Sequence, residues 1–155
     1  MMLAATMRSI LLALAVAGLP AIARAQVPVV LVTEQEALEP PPEDLSSGTK
    51  GITRGPAIED VAPRDGQSNY VIPGPFRIRI VSRNEVPVDP EAIRIVYLRS
   101  RPIDVTQRVR PFIAKGEINV PSDVMPPGLH LFRIEATDWL GRRSSLVIKV
   151  NAVAK

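Results

Sequence analysis

The sequence predicts an all-β chain, a sandwich of about seven short strands. Three observations predict it. Near the C-terminus two runs alternate apolar and polar side chains, one on each side of the turn tetrapeptide Asp138, Trp139, Leu140, Gly141. Shorter runs of the same period recur between residues 56 and 120, bounded by proline, glycine or aspartate. Sixteen prolines and nine glycines suit a turn-rich chain that keeps its prolines at strand ends, and no run reads as a helix.

The elements follow in order. Residues 1–25 read as a secretory signal: Arg8 supplies positive charge, residues 10–19 are apolar but too short to span a bilayer, Pro20 breaks the run, and Ala23, Arg24, Ala25 form a small-x-small cleavage site. Cleavage is expected between Ala25 and Gln26, leaving 155 − 25 = 130 residues, enough for one domain with its own core. With no second long apolar segment, the mature chain is expected not to span the membrane.

Residues 26–54 read as a flexible, acidic, proline-rich segment. Within it 27–32 (VPVVLV) suits either a short edge strand or an unstructured apolar stretch. From Thr33 onward, carboxylates and the run Pro40, Pro41, Pro42 offer too little apolar surface to offset chain entropy. A sandwich domain over 55–155 follows. Its expected strands are 56–62 at an edge, 76–80, 93–98, 103–109 (short strand or irregular crossing), 117–120 closed by Pro121, then the hairpin of 130–137 and 145–150. In the hairpin His130, Phe132, Ile134 and Ala136 face one way, and Leu131, Arg133, Glu135 and Thr137 the other.

The net charge of +3 includes Arg8 and Arg24 of the signal; without them 17 basic residues meet 16 acidic ones. The balance is uneven. Residues 26–65 hold 8 acidic against 3 basic side chains, and residues 66–155 hold 14 basic against 8 acidic. The basic body can attract its own acidic segment or an anionic partner. Cysteine is absent, which excludes thiol catalysis, cysteine-based zinc sites and iron–sulfur clusters.

In the hairpin, Gly128, His130, Phe132, Ile134, Ala136, Asp138 and Gly141 fill the phase of a motif that closes many bacterial immunoglobulin-like, fibronectin type III and cadherin-like surface modules. Over residues 56–150 the chain resembles such modules, with histidine where many carry tyrosine. The resemblance implies an immunoglobulin-like β-sandwich and assigns no activity. The layout from Arg54, Gly55 and Pro56 through Ile103, Asp104, Val105 and Thr106 is also similar to small secreted proteobacterial proteins of unassigned function.

Candidate chemistry is sparse. His130, the only histidine, lacks a nucleophile and an acid partner in the pattern and is expected to be a structural corner bonded to the loop before it. With Met125 it would give only two copper ligands. Asp138 with Gly141 reads as turn chemistry rather than as a calcium arm. No catalytic, metal or cofactor site is assigned, and no enzyme activity is expected. Nucleic acid is not expected as a partner, because aromatic interleaving is missing and export removes the usual targets.

The candidate contact residues are Trp139 at the hairpin tip, Val96, Leu98 and Leu131 with Arg133 on an outward sheet face, and the basic residues Arg99 and Arg101. The expected function is an exported, non-catalytic module, periplasmic or secreted. It contacts another envelope protein, a second copy of itself or an anionic envelope polymer, or has a structural role in the envelope. The alternative is a carrier or adhesion module for an anionic glycan, copper or calcium.

Overall fold

A computed structural model describes residues 27–43 and 54–155. The expected signal segment, its cleavage point and residues 44–53 lie outside them. The strands are β1 (Val29–Val30), β2 (Ala57–Ala62), β3 (Gln67–Ile72), β4 (Gly74–Val81), β5 (Arg94–Tyr97), β6 (Ile103–Asp104), β7 (Ile113–Ala114), β8 (Glu117–Val124), β9 (Gly128–Thr137) and β10 (Arg143–Ala154). Two helical turns, α1 (Glu34–Leu38) and α2 (Thr106–Val109), interrupt them.

Two sheets face each other. One runs β1-β8-β4-β2, with β7 also on β8; the other runs β3-β10-β9-β5-β6. Because β4 takes one edge of β8, β7 and β1 share the other in succession, at Glu117–Ile118 and at Asp123–Val124. The orders β2-β4-β8-β7 and β10-β9-β5 are those of an immunoglobulin-like β-sandwich, and that is the fold. The hairpin alternation predicted from sequence holds: His130, Phe132, Ile134 and Ala136 are buried at 1 % exposure or less. Phe132 meets Phe76 of the opposite sheet edge to face, with centroids 5.7 Å apart.

Three expectations need correction. Ten strands are described where about seven are expected, because β3 and the short β1 and β7 join the sheets. The strand expected to stop at Pro121 continues to Val124; Pro121 lies within the bulge between the Val120 and Asp123 pairings, where its missing N–H costs no ladder bond. The short strand expected within 103–109 is present as β6, and the turn α2 follows it.

The acidic segment is ordered over 27–43. There β1 pairs in parallel with β8, and Leu31 and Val32 enter the core at 0 % and 1 % exposure. Thr33 then caps α1 through a reciprocal box with Glu36. Arg108 forks onto the Glu36 carboxylate and also donates to the Leu31 carbonyl at 2.8 Å. Pro40 accepts from the Ser100 N–H at 2.8 Å. The segment is thus a strap across the open side of the sandwich, from β8 in one sheet to the end of β5 in the other. Composition suggests disorder from Thr33 onward, where few residues are apolar; the two that fill the core come from the apolar run 27–32 just before it.

Candidate contact site at the loop end

The sandwich presents two dissimilar ends. At the strap end the polar groups face inward. His130 donates from Nε2–H to the Pro126 carbonyl at 2.7 Å, since a carbonyl can only accept; Nδ1 then accepts from the Tyr97 hydroxyl at 2.9 Å. Burial and the nearby Arg99 guanidinium push the imidazole down from its usual range, so it is neutral at physiological pH. Both nitrogens are committed to structure. The corner role expected from sequence is the one the geometry shows, with both imidazole nitrogens hydrogen-bonded.

At the other end, the β9–β10 turn is braced. Asp138 Oδ1 accepts from the N–H groups of Leu140 and Arg142, each at 3.0 Å, and Oδ2 accepts from Arg142 Nε at 2.7 Å. Burial alone would raise this carboxyl; the Arg142 and Leu140 donors outweigh it and hold it below the usual carboxylate range. A carboxylate so occupied by donors has little left to offer a cation. Gly141 takes a φ of +75°, which the turn requires of glycine, and donates to the Asp138 carbonyl at 2.8 Å.

The loop between β4 and β5 is zipped to this turn. Trp139 N–H donates to Pro87 at 3.1 Å, Asp89 N–H donates to Thr137 at 3.0 Å, and Val88 bridges Asp138. The result is a two-loop surface with little backbone freedom. On it Trp139 and Leu140 stand 65 % and 68 % exposed. Sequence reasoning named Trp139 and missed Leu140, its neighbour in the same tetrapeptide.

A cleft of about 400 Å³ opens at the base of the turn, lined by Ala92, Arg94, Thr137, Arg143, Ser145 and neighbouring residues. Arg143 pairs with Thr137 in the last rung before the turn, so cleft and tip are continuous.

The remaining candidate residues are not brought together with the tip. Leu131 and Trp139 are eight residues apart along an extended strand and turn, and Leu131 to Thr137 alone spans about 20 Å. The outward face does carry Val96, Leu98, Leu131, Arg133 and Val147, as the alternation predicts: Val96 pairs with Arg133, and Leu98 N–H donates to the Leu131 carbonyl at 2.8 Å. It is not an open apolar patch. Leu131 is 4 % and Val96 9 % exposed, Leu98 is half-buried, and Arg133 is tied to Glu135 at 2.7 Å.

Arg99 is also withdrawn from solvent, at 7 % exposure; its guanidinium lies 4.7 Å from the Tyr97 ring centre and donates to the Leu129 carbonyl at 3.2 Å. Strand parity predicts direction and not the shielding that cross-strand side chains add. Arg101 is exposed. Among the described residues no helix is long and apolar enough to cross a membrane.

No protein-family model and no curated protein matches the sequence. Among solved structures the chain is similar to the fibronectin(III)-like modules of Clostridium thermocellum CbhA. The identity is 12 % and the TM-score 0.38, over 64 % of this chain and 47 % of that one. It is also similar to SGBP-B from the Bacteroides ovatus mixed-linkage glucan utilization locus, solved with a mixed-linkage heptasaccharide. There the identity is 13 % and the TM-score 0.37, over 65 % of this chain and 24 % of that one. The chain thus spans less than half the length of either structure.

Proposed function

We propose that this protein is an exported, non-catalytic binding module, acting in the periplasm or outside the cell, whose partner is a protein held at the loop end. One observation carries the reading: a turn fixed by Asp138 and by the loop at Pro87 holds two large apolar side chains, Trp139 and Leu140, largely in solvent. Apolar surface on a flexible loop would lose entropy on docking; on a braced turn that cost is already met in folding. A central tryptophan beside an aliphatic residue suits a protein pocket, where such anchors contribute most of the binding energy.

The test is crosslinking in the native host, comparing the natural chain with the double variant Trp139→Ser, Leu140→Ser. The expected result is loss of the partner adduct with the melting temperature unchanged. Retention of every adduct in a folded double variant removes the loop end as the contact.

A further inference from the structure

Building on the loop-end reading, we infer that the partner presents an acidic peptide segment to the cleft beside Trp139, read by Arg94 and Arg143. Both arginines are exposed and line the cleft. Among the described residues neither is in a salt bridge, although Glu135 stands opposite Arg94 across the β5–β9 pair and lines the cleft, and the Arg94 charge helps, against burial, to lower the Asp104 carboxyl. The remaining charges nearby are paired with one another. Glu135 is held by Arg133 at 2.7 Å, Asp138 by Arg142 at 2.7 Å, and Glu91 faces Arg110 at 3.8 Å.

Arg54 is also exposed. Gly55, the next residue, packs so tightly on the Arg143 backbone that a Cβ there would come within 2.8 Å of it. The surroundings are equipped for carboxylates: guanidiniums supply paired donors in a fixed fork, and the hydroxyls of Thr137 and Ser145 line the same cleft. The body of the chain carries the matching excess, 14 basic against 8 acidic side chains over residues 66–155. Leu140 beside Trp139 favours a peptide over a saccharide, since an aliphatic side chain offers no stacking face.

The test uses the full chain, purified after expression with its own N-terminus, and a fluorescein-labelled octaglutamate peptide followed by anisotropy. The expected result is saturable binding that weakens as salt rises, and that Arg94→Gln, Arg143→Gln weakens about tenfold or more. Both substitutions are at exposed positions, so an unchanged melting temperature will confirm folding. Absence of binding, equal binding by the double variant, or tighter binding of hyaluronate fragments than of octaglutamate each overturns the acidic-peptide assignment.

Host crosslinking on the same variants separates the two readings. Adducts lost with Trp139→Ser, Leu140→Ser but kept with Arg94→Gln, Arg143→Gln leave the loop end standing and remove the acidic segment. Adducts kept in both remove both.

Discussion

The strap end and the loop end of the sandwich are both tightly bonded, and they differ in what the bonding leaves in solvent. At the strap end Leu31, Val32, His130 and Arg99 are all drawn inside, at 7 % exposure or less. Val27, Val30, Leu38 and Leu129 are exposed there, but they are spread along the strap and a strand end rather than set side by side on one turn. At the loop end the carboxylate, the glycine and three backbone contacts hold the turn still, while Trp139 and Leu140 remain outside. Order that buries apolar surface explains itself through stability. Order that displays apolar surface does not, and this contrast points to recognition at the loop end.

The comparison can be broken first at the strap. Leu31→Ala removes a fully buried side chain from the seam between the sheets and is expected to cost about 3 kcal/mol, read from urea midpoints. If the strap merely rests on the body, the loss will be below about 0.5 kcal/mol.

A second effect of similar size is a titration. Asp123 of β8 is fully buried and bonds the Tyr70 hydroxyl of β3 at 2.6 Å, linking the two sheets, while its Oδ2 has no partner. Burial, against smaller opposing hydrogen bonds from Tyr70 and Gly74, pushes the carboxyl up to about 6 from an ordinary 3.8. A raised folded-state value means that the folded chain holds the proton more tightly. This stability is therefore fully present below about pH 4 and is lost as pH rises through 6, by about 3 kcal/mol in all. Asp123→Asn should flatten the urea midpoint between pH 4 and 7; an unchanged slope in that variant assigns the titration elsewhere.

Glu36 gives the opposite sign. The Arg108 fork pulls its carboxyl down to about 2 from 4.5. Its contribution is present above pH 4.5 and disappears as pH falls toward 2. Glu36→Gln should cost about 1–2 kcal/mol at pH 7 and nothing near pH 2, with faster hydrogen exchange at Leu31 and Val32. Slow exchange in that variant would show that the apolar plug alone holds the strap.

The smallest stability effect belongs to the loop end. Trp139→Ser should change the unfolding free energy by less than about 0.5 kcal/mol, as expected for an exposed side chain that caps no core. A loss above about 2 kcal/mol would make Trp139 a structural cap and remove its display role.

Much of the sandwich was legible because period-two alternation is local. Phe76, Ile78, Ile80 and the inward hairpin residues could be placed without knowing their partners. The loop-end turn was legible too, through Asp138 and Gly141, whose conformational roles are intrinsic. The strap was obscured by composition, although Thr33 followed three residues later by Glu36 is a capping box visible in the sequence. What locked it, Arg108, stands 72 residues away from Glu36. β3 was missed because Gln67, Ser68 and Asn69 begin it on an outer edge, with Tyr70 and Ile72 its only buried side chains. The burial of Leu131, Val96 and Arg99 depends on neighbours across strands and could not be read from parity. Arg94 and Arg143 acquire a shared role only when β5, β9 and β10 are assembled in register.

The most direct test of loop-end recognition places one photo-crosslinking residue at a time in the native host, at Trp139 and at Leu131. A partner adduct from position 139 and none from position 131 is the predicted result. An adduct from 131 with none from 139 would contradict it and return the contact to the sheet face.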